Sequence, residues 1–432
     1  MRISKRLIKR IAISFGLVVG LLMIVNGVLA WSAQNRFDRR IAELREAKQP
    51  ASLAELAPTP IAPEKNAAVY LQQIEPQLDS FHKDYIAFYE TPLGKQVPLT
   101  DGLEMPVTGE QLAAMRSIVD AYPTIQPAMQ KAAACDQYAS LFDFSLPASE
   151  FLESSIKAPI LRNLTHYASL KIAVLSDEGR SSEAVRLALQ MLRITRLRDQ
   201  EPALMSHEVS LSVRAIMLTL INLALRHNEV APEVRTELDA ELAADDNFGS
   251  LQAALRGERA FSISYIMEQT SPLFLKWPVL NWMTGELDAE DQACKIAELP
   301  LDQIRPRQDP ITKQTAPPQF ADVKSQLIGA SLRAAFKTEF RRLALTRCLR
   351  VVNALGKYRA QTGNEAQNIE QLLLPREATV DPFSGNPLHL KRIAAGWVVY
   401  SVWENGVDDG GRFDFYDGDW GFGPPGYNDE AK

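Results

Sequence analysis

The chain has 432 residues, of which 46% are hydrophobic, and a formal net charge of −6. That length exceeds what one hydrophobic core usually serves, and the apolar share excludes wholesale disorder. The mildly acidic balance excludes a general nucleic-acid role, which needs a basic face. Three cysteines, Cys135, Cys294 and Cys348, fit neither a zinc nor a redox spacing and read as buried thiols.

The pattern predicts a mainly α fold: an N-terminal transmembrane helix, a multi-helix body, and a small C-terminal α+β module with a long helix and a β-hairpin. The expected boundaries are a basic tip (1–10), an anchor (11–33), a charged helix and Pro/Ala-rich linker (34–63), a helical body (64–298), a Pro-rich linker (299–319), the module (320–420) and a polar tail (421–432).

Arg2, Lys5, Arg6, Lys9 and Arg10 precede an uncharged run, 11–33. About 20 apolar residues span a bilayer core, so the run is long enough. The basic tip stays in the cytoplasm and sends the rest outside. This predicts a single-pass protein of the bacterial inner membrane that contacts lipid through its first helix. A cleaved signal peptide is the rival, with Val28-Leu29-Ala30 as its site, but the run is long for one. Gly16 and Gly20 form a small-xxx-small pair. With the polar Asn26 they would let two anchors pack as a homodimer.

Residues 64–78 have helical composition, whereas the prolines and glycines up to 107 predict mostly loop. Thr108 and Gln111 form a capping-box pattern. A helix over 151–177 ends at Gly179, and Ser181 or Ser182 caps the next one. There Ala184, Leu187, Ala188, Met191 and Ile194 share one face. Residues 209–225 are apolar nearly all round, with Arg214 the one charge, and predict a buried core helix over a second span. Gly257 inside the helix over 251–269 suggests a close helix contact or an internal ion pair, against a default of a solvated face. Two prolines in 271–283 argue against a regular helix there; Trp277 and Trp282 suit a membrane interface, a ligand cover or plain core packing.

Residues 322–361 predict one long helix on which Arg333, Lys337 and Arg341 make a basic stripe, by default a solvated face. Asp381-Pro382-Phe383-Ser384-Gly385-Asn386-Pro387-Leu388 is turn chemistry. Strands over 388–393 and 397–403, joined by Ala394-Ala395-Gly396, predict a hairpin. An acidic loop from Glu404 to Asp419 follows.

With Ala354-Leu355-Gly356-Lys357-Tyr358, the Asp-Pro-Phe-Ser-Gly-Asn-Pro-Leu turn and the Asn-Gly…Asp-Asp-Gly-Gly loop, the region of about 349–420 resembles the globular end of a major pseudopilin of type II secretion. The resemblance covers under a fifth of the chain. It implies a calcium ion in the acidic loop, with Asp408, Asp409, Asp414, Asp417 and Asp419 as the donor candidates. The anchor departs from that family: it has neither the processed leader nor the glutamate of the membrane helix. The overall layout resembles exported, membrane-anchored bacterial proteins.

No metalloprotease, nucleophile-elbow, Walker or dinucleotide motif is present. The expectation is therefore a membrane-tethered extracytoplasmic interaction or scaffold protein with a protein partner. The alternatives are an accessory component of a secretion or pilus-like system, and an exported hydrolase with an acidic site.

Overall fold

The computed structural model describes residues 5–97, 107–156, 160–247, 249–268, 273–305, 323–413, 418–425 and 427. The fold is mainly α, as expected, with one three-stranded antiparallel sheet near the C-terminus. Helix α1 (Lys5–Glu46) is a single unbroken rod. From Ile13 to Val25 it is apolar and largely exposed: Phe15, Leu17, Leu21, Leu22 and Ile24 all face outward. Its second half carries Ala33, Phe37, Ile41 and Leu44 at helical spacing, and this stripe is buried.

The body follows as α2 (Ala67–Gln73), α3 (Glu75–Glu90), α4 (Gly109–Asp120), α5 (Ile125–Ala133), α6 (Ala148–Ile156), α7 (Ile160–Asp177), α8 (Ser181–Arg198) and α9 (Leu204–His227). Next come α10 (Pro232–Asp245), α11 (Gly249–Glu268), α12 (Leu273–Ala297) and a single turn, α13 (Leu301–Ile304). The capping box at α4 forms in full: Thr108 Oγ1 accepts from Gln111 N, and Gln111 Oε1 accepts from Thr108 N at 2.7 Å. Gly179 takes the left-handed conformation that stops α7, with φ 77°. The predicted apolar face of α8 is buried throughout. Helix α9 is long and apolar enough to cross a membrane, but 61% of that stretch is buried against its neighbours, so it is a core helix.

The 40-residue α14 (Val323–Thr362) runs the length of the C-terminal half. Strand β1 (His389–Ile393) pairs antiparallel with β2 (Gly396–Ser401), Ile393 opposite Gly396, and β3 (Trp420–Phe422) adds on the far side of β2. The largest apolar cluster takes Leu78, Leu164, Met217 and Ile221 from the body together with Leu349, Val352, Val399 and Phe422 from the C-terminal segment.

Several local expectations are corrected. Residues 79–90 are helical rather than loop, because Leu78, Phe81, Tyr85 and Phe88 form a buried stripe that the following prolines do not interrupt. The stretch 50–63 is not a free spacer, since Ala51, Leu53 and Leu56 are buried and Leu53 N donates to Ser264 Oγ of α11. Helix α12 contains Pro278, where the prolines had argued against a helix; packing along α1 outweighs the one missing backbone donor. Neither serine caps α8: Arg180 is the cap residue, and Ser182 Oγ accepts from Ala231 N instead. Strand β3 was not foreseen, and it takes Gly421 and Phe422 out of the expected polar tail. Cys294 and Cys348 are buried, Cys135 only half-buried.

Candidate functional site

Gly16 and Gly20, expected to let two helices pack, lie on an open surface of α1. A side chain added at Gly16 or Gly20 would meet nothing, so that face of α1 is free to receive a second helix. Asn26 is half-buried one and a half turns further on. The expected scissile residue, Ala30, is buried at 4% exposure and lies in the middle of a helix.

The acidic loop is only partly in view, because Asp414 and Asp417 lie outside the described residues. Asp419 is fully buried. Its Oδ2 accepts from Gly411 N at 2.7 Å, while Oδ1 has no hydrogen-bond partner among the described residues. Burial pushes its pKa up, and Asp408 and Asp409 add to the shift. Asp408 is engaged with Tyr400 Oη, Gly410 N and, at 3.2 Å, His389 Nδ1. Asp409 accepts from Asn405 Nδ2. The Asp419 Oδ1 atom suits a hard cation. Among the described residues, however, no three metal-ligating side chains converge. A calcium site therefore depends on donors from Asp414 and Asp417.

Asp381, quoted only as part of a turn, proves to be the hub of the module. It is fully buried, and its carboxylate accepts from Phe383 N, Ser384 Oγ, Ser401 Oγ and Val402 N at 2.8–3.1 Å. The turn is thereby tied to the end of β2.

Sequence reasoning missed the most heavily charged interior region. Arg214 of α9 bonds Asp199 and Thr195 Oγ1 and pairs with Asp245 at 3.3 Å. Arg342 of α14 bonds Glu339, Asp245 and the carbonyl of Asn247. His207 lies 3.3 Å from Asp199 and 3.6 Å from Glu339. Three cations thus meet three carboxylates where α8, α9, α10 and α14 converge. Burial alone would lower the His207 pKa, but Asp199 and Glu339 outweigh it and raise it to about 9. Burial alone would raise Glu339, yet Arg342 and His207 hold it far below the usual carboxylate range. A cavity of about 190 Å³ opens beside Arg196, Arg214, Arg342, Asp199 and Asp245. The guanidinium nitrogens of Arg214 and Arg342 are all engaged by protein oxygens, so the cluster is a clamp between helices rather than an anion receptor. The signal available in the sequence was Arg214, a lone charge in an otherwise apolar helix.

The basic stripe on α14 stays at the surface in part: Lys337 is exposed, and Arg333 and Arg341 are half-buried. Lys337 pairs with Glu404, and the Arg341 guanidinium lies over the Trp403 and Trp420 rings at 4.5 and 4.0 Å. No known family model, curated protein or solved structure matches the chain.

Proposed function

We propose that the protein is a single-pass, membrane-tethered interaction protein of the bacterial envelope, with its N-terminus in the cytoplasm and its body outside. The observation that carries the reading is α1 itself. One helix is apolar and exposed over 13–25, then becomes part of the folded body from Ala30 onward. Such a rod holds the body at a fixed height above the bilayer, without a swivelling linker. Retention of the segment is supported by Ala30, because a peptidase needs extended chain and this residue is helical and packed.

The test is a tag fused after Lys432. Protease added to intact spheroplasts should remove it, and a tag digested only after lysis overturns the topology. Cross-linking in cells should then trap a protein partner at defined mass. A chain that stays uncross-linked, and that turns over a hydrolase substrate until one carboxylate is replaced, overturns the interaction role in favour of the acidic-site enzyme. One observation favours a role as accessory to a secretion or pilus-like system: the antiparallel sheet packs on the long helix α14, through Val399 and Phe422 against Leu349 and Val352. That version predicts co-purification with pseudopilin-like proteins.

A further inference from the structure

Helix α12 lies along α1 and shares its direction. Arg36 Nη2 donates to Asn281 Oδ1 at 3.2 Å. Four residues further along α1, Arg40 reaches the Thr284 carbonyl, Asp288 and Asp291. Both helices therefore descend together, away from the exposed apolar half of α1. Traced in the other direction, α12 begins eight residues before Asn281, about 12 Å nearer the membrane at 1.5 Å per residue. That is the height of Val28 on α1. Burial on α1 agrees with this register. Asn26, Gly27 and Leu29 are half-covered and Ala30 is buried, although all four lie inside the uncharged run.

A hydrocarbon core of about 30 Å takes about 20 helical residues, so a span starting at Ile11 ends near Ala30. The start of α12 thus reaches the depth at which the anchor leaves the lipid. Its sequence suits that depth: residues 273–280 read Leu-Phe-Leu-Lys-Trp-Pro-Val-Leu, with a single charge. Trp277, six ångströms or so nearer the membrane than Asn281, stands level with Ser32. It is half-buried on the α1 contact, and Trp31 beside it is 69% exposed. Two tryptophans at one height are the mark of a lipid–water boundary.

We propose that the N-terminal end of α12, residues 273–280, is a second membrane contact that lies in the lipid interface beside the anchor. The body is then held by a rod and a foot, which fixes its orientation as well as its height. The inference rests on the anchor reading above.

The test uses the full chain in phosphatidylcholine/phosphatidylglycerol vesicles, with Cys135 replaced by Ser and an environment-sensitive fluorophore at one introduced cysteine. The sites are Leu275→Cys on the foot, Trp31→Cys at the end of the anchor, and Arg359→Cys on the far end of α14. Lys276→Cys is a second foot site should Leu275→Cys fail to fold. Lipids carrying a nitroxide near the head group should quench the 31 and foot labels at least about twofold more than the 359 label. Quenching at 31 with none at 275 or 276 beyond that at 359 overturns the foot and leaves the anchor standing. An unquenched label at 31 overturns the anchor reading and the foot with it.

Discussion

His207 and Glu258 both hold protons more tightly in the folded chain than in the unfolded one. For His207 the folded pKa is about 9 against an ordinary 6.5. Its contribution to stability is therefore complete below pH 6.5 and is lost as the pH rises towards 9. Glu258 is pushed up to about 7 by burial and by the neighbouring Glu208, so its contribution is complete below 4.5 and lost by about 7. Urea midpoints measured from pH 5 to pH 9 should decline, and His207→Gln should flatten the upper part of that decline. A variant that keeps the full slope between pH 7 and 9 removes His207 from this role. Replacing Arg342 with Met strands the buried carboxylates Glu339 and Asp245. It should cost about 3–5 kcal/mol, read as a fall in urea midpoint. Asp381→Ala leaves four donors without their acceptor. It should cost about 2–4 kcal/mol, and a loss under 1 kcal/mol by the same titration contradicts the hub role.

At the scale of elements, α11 meets the chain preceding α9 at Gly257, where a Cβ would overlap the Pro202 carbonyl. Gly257→Ala should destabilise by about 1–3 kcal/mol despite the better helix propensity of alanine, and a thermal melt distinguishes the signs. Thr108→Ala removes the cap of α4 and should cost about 1 kcal/mol. The acidic loop has its own test. Calcium at 1 mM, if bound with a dissociation constant near 0.1 mM, adds about 1.4 kcal/mol. The melting temperature of the full chain should then rise by a degree or two. An unchanged melt removes the ion from the loop. The capping box and the stop at Gly179 were legible because each depends on residues three or four apart. Helix α3 and the helical start of α12 were not, because prolines nearby spoke louder than a buried stripe whose partner lay far along the chain.

Across the whole molecule, one apolar cluster joins residues as distant as Leu78 and Phe422. Phe422→Ala should therefore lower the main unfolding transition by about 3–5 kcal/mol, without releasing a separate early transition of the sheet in calorimetry. By itself the sequence determined what short-range chemistry controls: a membrane-length apolar helix with a basic tip, a helical body, a hairpin that turns at Ala394-Ala395, although with Gly396 in the strand rather than the turn, and α9 as a core helix. Hydrophobic length and period are local quantities and need no partner to be read. Only the tertiary structure decided that α1 continues into the core, that Arg214, Arg342 and His207 meet Asp199, Asp245 and Glu339, and that α12 packs along α1. Those outcomes depend on which faces meet between elements distant in the chain: Arg342 reaches Asp245 across 97 residues, and Arg40 reaches Asp288 across 248.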